Sequence, residues 1–186
     1  MTAVPAPSIA FAFTIQTESA RDIAAREALL DRAMGPGRKR KSSEKIRRGR
    51  LPSEGLAFVA RGEDGRAAGT VRLWDVEAGD RCALLLGPLA VDPSLKSAGI
   101  GSALMKHAIA ESARLGHGAI LLVGDAPYYA RFGFSAEKTD RLAMPGPYEK
   151  HRFLALELRD GALDGAQGVL KAAGRKSEAA KAALAA

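Results

Sequence analysis

The residues whose types and spacing best suit chemistry are Lys96, Gly99 and Gly101, within "LAVDPSLKSAGIGSALMKHA", Leu89 to Ala108. Leu89 to Val91 read as the end of a strand, and Asp92, Pro93 and Ser94 as a turn. Leu104, Met105, Ala108 and Ile109 then recur at helical spacing. The glycine pair therefore falls at the mouth of a helix, where backbone N–H groups lack intrahelical partners. Glycine lets the backbone approach a ligand closely and a helix N-terminus favours an anion, so the expected guest is a phosphate group. Two other phosphate loops are excluded. The dinucleotide fingerprint needs a third glycine where Leu104 stands, and the triphosphate loop G-x-x-x-x-G-K-[ST] occurs nowhere. His107, His117 and His151 show no metal-ligand spacing, so no metal is expected. Cys82, the single cysteine, excludes an internal disulfide and reads as buried and inert in a reducing compartment.

Composition sharpens the class. A chain of 186 residues, 47% hydrophobic, fits one domain of ordinary size with an appendage. No run approaches the ~20 apolar residues of a membrane span, and the N-terminus lacks a signal-peptide pattern; a cytoplasmic protein is expected. The formal net charge of +7 is not spread evenly. Gly37 to Arg50, "GRKRKSSEKIRRGR", holds eight basic residues and one acidic, and the rest of the chain is balanced. A block of this kind is most often a solvated face. Its functional reading is a basic rim that attracts an acidic substrate or a phosphorylated ligand. Without interleaved aromatics or a groove-reading motif, nucleic acid is the weaker partner.

The elements that must position the glycines follow from periodicity and punctuation. Ile9 to Gln16 reads as a first strand. Ser19 caps a helix over about Ala20 to Met34, with Asp22 completing an approximate capping box, and Gly35-Pro36-Gly37 stops it. The basic segment is expected to be helical from Ser43 to Arg48. Leu56–Arg61, Ala68–Val76 and Arg81–Val91 form an antiparallel meander. The glycine loop, a helix to about Leu115, and a short apolar strand at Ala119–Val123 come next. Strand, crossover helix and strand make one parallel pair inside an otherwise antiparallel sheet. Pro127 opens a short helix, and Leu142–Met144 with Arg152–Leu158 form a final strand pair. From Asp160 the chain is rich in glycine and alanine and lacks a stripe large enough to dock firmly. Residues 1–159 are accordingly one domain, and residues 160–186 an appendage, helical or frayed.

Lys96-x-x-Gly99-x-Gly101 after an antiparallel strand resembles motif A of the GNAT superfamily of N-acetyltransferases, with Val91, Asp92 and Pro93 matching its lead-in. A second element agrees in order and spacing: "YYARFGF", Tyr128 to Phe134, resembles the family's Tyr-x-x-x-Gly-Phe, with Tyr129, Gly133 and Phe134 in register. "LLLGPLAVDP" and "LVGDAPYYARFGF" are similar to the bacterial YhbS-type branch. The resemblance covers about Ile9 to Leu158. It implies an α/β (α+β) fold: a mixed, mostly antiparallel sheet, flanked by helices and splayed into a V between the fourth and fifth strands.

The resemblance also implies acetyl-CoA as cosubstrate. Its pyrophosphate would rest on the backbone of Lys96, Ser97, Ala98, Gly99, Ile100, Gly101 and Ser102. Lys96 stands where the family has Gln or Arg, keeping charge but losing the guanidinium fork. The alternative is that the glycines only allow tight helix-to-sheet packing. Pro88 cannot donate to a ladder and marks a break in its strand. There the backbone of Leu89, Ala90 and Val91 would pair with the pantetheine arm, and an N–H near Leu89 would hold the oxyanion. Tyr129 is the expected general acid toward the departing thiolate, its other reading being packing beside Phe132 and Phe134. Tyr128 is expected to pack, and Asp125 is a further cofactor contact of doubtful role. No general base is legible: Asp75, Glu77 and Asp80 are distant candidates. Trp74 reads as core first and as acceptor-pocket wall second.

The expected reaction is direct attack of a primary amine, carried by a small molecule or a protein, on acetyl-CoA in a ternary complex. Two rivals are an acyl-CoA-binding protein without turnover and a nucleic-acid binder using residues 38–50. The acceptor itself is not legible. An exposed final strand or hairpin is the edge that would pair across a two-fold in a homodimer.

Overall fold

The computed structural model describes residues 11–185. Strand β1, Phe13–Thr17, takes up part of the expected first strand, whose Ile9 and Ala10 lie outside the described residues. Ser19 and Asp22 do form a capping box: the Asp22 carboxylate accepts from the Ser19 N–H at 2.7 Å. A short 3₁₀ turn then leads into helix α1, Ile23–Met34. The basic segment folds as a 3₁₀ turn, Pro36–Arg40, followed by helix α2, Ser42–Arg47. The meander is β2, Ala57–Gly62; β3, Ala67–Ala78; and β4, Arg81–Val91. Helix α3, Ile100–Arg114, crosses to β5, Ala119–Val123, which lies parallel to β4. Helix α4, Ala126–Ala130, carries Pro127 in its first turn as expected.

The last third departs from expectation. Strand β6, Leu142–Ala143, does not pair with β7, Phe153–Glu157. β7 adds antiparallel to β5, extending the sheet, while β6 pairs in parallel with β8, Gly168–Val169. The segment from Asp160, expected as an appendage, is threaded into the molecule. Leu163, Ala166 and Leu170 are buried, and β9, Lys171–Ala172, pairs with β3. These anchors reach the core one at a time from turns rather than as a helical stripe, so periodicity gave no warning. Helix α5, Glu178–Ala185, closes the chain.

The main sheet runs β1-β2-β3-β4-β5-β7, with β9 beside the far end of β3. Successive side chains on a strand point to opposite faces, and here both faces are covered. Val71, Leu73, Leu84, Leu86, Ile120 and Leu122 meet Ile100, Leu104 and Met105 of α3 on one side. Trp74, Val76, Leu85 and Leu121 meet Ile46 of α2, Phe153, Leu163 and Leu170 on the other. The middle strands therefore read as nearly continuous apolar runs. Cys82, by contrast, is exposed rather than buried. It stands near the tip of the β3–β4 hairpin opposite Glu77, where neither core reaches.

Candidate active site

The glycine loop begins where β4 ends. The Asp92 carboxylate accepts from the Ser94 N–H at 3.0 Å and its hydroxyl at 2.8 Å, closing the turn. Those bonds, and then the one from Arg32, hold Asp92 below the usual carboxylate range. Ser97 and Gly99 both adopt left-handed backbone, at φ of 69° and 79°. Alternating handedness of this kind turns successive N–H groups to one side and shapes an anion-binding concavity. The first helical hydrogen bond runs from the Ala103 N–H to the Gly99 carbonyl at 3.0 Å. The N–H groups of Ile100, Gly101 and Ser102 thus open outward at the mouth of a fifteen-residue helix. A Cβ on Gly101 would stand 3.1 Å from the Tyr128 hydroxyl and 3.5 Å from Val91, narrowing the cradle. Lys96 is exposed at the rim.

A second cation at this mouth escaped the sequence reading. The Arg131 guanidinium lies 4.4 Å from the Tyr128 ring centre and donates to the Ser102 hydroxyl at 3.3 Å. The signal was available, since Arg131 is the only charged residue in "YYARFGF".

The edge of β4 leads from the loop into the molecule. β4 pairs with β5 only at Leu84 and Leu85, and beyond that the two strands part. On its other side the register with β3 slips: Val71 faces Leu89 and Leu73 faces Leu86, so Gly87 and Pro88 bulge opposite Arg72. The Asp92 N–H donates to the Ala68 carbonyl at 2.9 Å, toward β3. Backbone direction alternates along a strand, so Ala90 also faces β3 while Leu89 and Val91 turn their polar groups to the open edge.

Tyr129 stands across the splay. Asp125 caps α4, its carboxylate accepting from the Tyr128 N–H at 3.3 Å. Gly124 is fixed from both sides: its N–H donates to the Arg152 carbonyl at 2.9 Å, and its carbonyl accepts from Arg152 Nε at 3.2 Å. The Tyr129 ring lies so close that a Cβ on Gly124 would come within 2.1 Å of it. Tyr128 and Phe134 pack edge-on against the same ring, with centroids at 4.9 and 6.0 Å. Burial, then Tyr128, pushes the Tyr129 phenol up to about 12. It keeps its proton through neutral pH.

Between the splay and α1–α2 lies a cavity of about 340 Å³. One wall holds Leu86–Leu89, Leu122 and Tyr129, with Trp74, whose indole N–H donates to the Gly87 carbonyl at 2.5 Å. Trp74 is thus both buried core and pocket wall. The opposite wall carries Arg26, Arg38, Lys39, Lys41 and Arg47 against two carboxylates, Glu27 and Glu44, and Arg72 reaches in from β3 beside Trp74. Burial raises the Glu27 pKa, but hydrogen bonds from Arg26 and Arg38 outweigh it, leaving a net lowering. Part of the basic run, Arg38, Lys39, Lys41 and Arg47, therefore lines the cleft, while Arg40, Lys45 and Arg48 face solvent.

The expected bases are elsewhere. Asp75 accepts from the Ser53 hydroxyl at 2.7 Å, and Glu77 and Asp80 sit at the exposed end of the β3–β4 hairpin. Glu27 and Glu44 are the carboxylates that line the cavity, and their signal was hidden inside helices whose docking the sequence did not reveal. His107 packs edge-on against Phe58 at 4.6 Å, and no cluster suited to a metal exists among the described residues. No helix among the described residues is long and apolar enough to cross a membrane.

Residues 53–136 match the acetyltransferase (GNAT) domain family. The chain is 29% identical over 118 residues to the uncharacterized N-acetyltransferase YhbS of Escherichia coli K12, covering 62% of this chain and 71% of that protein. The crystal structure of Escherichia coli YhbS in complex with CoA superposes with a TM-score of 0.75 at 26% identity, covering 92% of this chain and 93% of that one. A GNAT-family acetyltransferase from Brucella melitensis, in complex with acetyl-CoA, has the same fold, with a TM-score of 0.65 at 23% identity. Its alignment covers 92% of this chain and 99% of that one.

Proposed function

Because residues 53–136 match the GNAT acetyltransferase domain family and the chain resembles its YhbS-like branch, we propose that it transfers an acetyl group from acetyl-CoA to a primary amine by direct attack in a ternary complex. The observation that carries this reading is continuity. An outward-facing N–H cradle at the mouth of α3 runs into an unpaired β4 edge, and that edge ends beside a half-buried, protonated phenol.

The residues fit the cosubstrate. Gly99 and Gly101 leave room for a pyrophosphate on the N–H groups of Ile100, Gly101 and Ser102, with Lys96 and Arg131 adding positive charge. Leu89 and Val91 offer open-edge backbone to the amide-bearing pantetheine arm, as an added strand would find it. When bound, acetyl-CoA supplies the activated thioester. The Leu89 N–H then stabilises charge on the carbonyl oxygen as the amine attacks. Tyr129 gives its proton to sulfur as the C–S bond breaks and the C–N bond forms, while the amine's proton leaves through water or a cavity carboxylate. With a pKa near 12 the phenol is a weak acid, so it donates only as negative charge builds on sulfur. Asp125 serves by capping the helix that aims this ring.

The test is steady-state thiol release from acetyl-CoA with varied amine and varied acetyl-CoA. Intersecting initial-velocity lines support direct attack. Parallel lines would indicate a covalent enzyme intermediate and overturn the ternary mechanism, and saturable acetyl-CoA binding without thiol release across amines would favour a binding protein.

A further inference from the structure

The acceptor wall of the cleft contains a buried charge whose hydrogen bonds are incompletely met. Arg47 is nine-tenths buried at the end of α2, held there because Ile46 beside it is packed into the second core. Its Nη2 donates to the Ser43 hydroxyl at 3.0 Å and lies 3.4 Å from the Glu44 carboxylate. Its Nε is buried with no hydrogen-bond partner. The other arginines lining the cavity are taken: Arg26 and Arg72 by Glu18, Arg38 by Glu27 and Asp31. Lys39 and Lys41 are exposed on the same wall and have no carboxylate partner among the described residues. A desolvated guanidinium with an unmet N–H is costly unless something satisfies it.

The position of Arg47 says what that something is. Its Nη1 reaches to within 3.5 Å of where a Cβ on Gly87 would stand, at the β4 bulge two residues from Leu89. Leu89 and Tyr129 line the same cavity. A molecule spanning it would place one end at Arg47 and the other at the reaction centre.

Resting on the acetyltransferase reading above, we propose that the acceptor is a small primary amine bearing an anionic group, a carboxylate or a phosphate, which binds Arg47 with Lys39 and Lys41 at the rim. The anion meets the Arg47 N–H groups, as carboxylates and phosphates do at a guanidinium. The excess of cations disfavours polyamines and other multiply cationic acceptors.

The experiment uses matched pairs: β-alanine against β-alaninamide, and phosphoethanolamine against ethanolamine. Acetyl-CoA is first titrated into the native protein, and absence of binding there overturns the enzyme reading itself. With binding established, one anionic member at least is expected to exceed its neutral partner by roughly tenfold or more in kcat/KM. The pair that does so distinguishes carboxylate from phosphate. Arg47→Gln is expected to raise the KM for that acceptor by roughly tenfold while the KM for acetyl-CoA stays, and Arg47→Lys is expected to recover part of the loss. Should Arg47→Gln fail to fold, the exposed double variant Lys39→Gln/Lys41→Gln reads the same charge, with a salt-sensitive KM increase of roughly threefold. Equal use of neutral and anionic members, or preference for spermidine, overturns the proposal. So does absence of binding of both anionic amines to the CoA-saturated protein.

Discussion

The two halves of the cleft are built from different materials. The proposed cofactor half, from Lys96 to Ser102 and along β4 to Leu89, presents backbone N–H groups, with glycines and an unpaired edge. The proposed acceptor half, from α1 through α2, presents guanidinium, ammonium and carboxylate groups on side chains. Backbone chemistry constrains which residues are permitted at fixed spacing, and so leaves a motif. Side-chain chemistry constrains only where a charge ends up in space, and many sequences can place it there.

The halves meet at Tyr129, and the largest effect is expected there. Tyr129→Phe should lower kcat by roughly 10²–10⁴-fold with little change in either KM, measured by thiol release. Near-native turnover would leave the ring a packing element. The same variant carries a pH signature. The phenol's folded pKa of about 12 lies above its ordinary value of 10.0, so burial of the neutral form contributes stability that is present in full below pH 10. That contribution is lost as pH rises from about 10 toward 12. Urea midpoints of the native protein should fall across this window by more than those of Tyr129→Phe.

The next effect concerns the ground on which the acceptor half stands. Leu163 shares its core with Ile46, the residue that seats α2. Leu163→Ala should cost about 2–4 kcal/mol in urea denaturation, whereas a detached tail would show almost none. Gly124→Ala should follow: its methyl group would displace the Tyr129 ring and reduce kcat by roughly 10²-fold while sparing acetyl-CoA affinity. The smallest effect is at Asp125. Asp125→Ala should remove the α4 cap and cost about 1 kcal/mol in thermal or urea denaturation. A loss of acetyl-CoA affinity larger than the stability change would restore Asp125 as a direct cofactor contact and blur the line between the halves.

The same contrast explains what could be read from the sequence. The meander, the crossover helix and the parallel strand announced themselves through apolar runs and turn residues such as Glu63-Asp64-Gly65 and Ala78-Gly79-Asp80. Gly99 and Gly133 take left-handed backbone, at φ of 79° and 88°, which favours glycine and so leaves a pattern in the sequence, whereas Tyr129 and Phe134 were picked out only by resemblance to a family motif. Arg47 and Glu44 were not, because nothing local marks α2 as the wall of a cleft: Ile46, a single apolar residue in a basic run, fixes its docking. The tail was hidden for a related reason, with Leu163 and Leu170 each inserted singly among glycines. Cys82, expected to be buried, is exposed because it stands near a hairpin tip beyond both cores.

The most direct test of the account is calorimetric titration of acetyl-CoA into the native protein and into Gly101→Trp. The glycine cradle and open β4 edge call for saturable one-to-one binding in the native protein that is lost in the variant, with both proteins folded by circular dichroism. No binding in the native protein, or equal binding in both, would contradict it and return the glycine pair to helix packing alone.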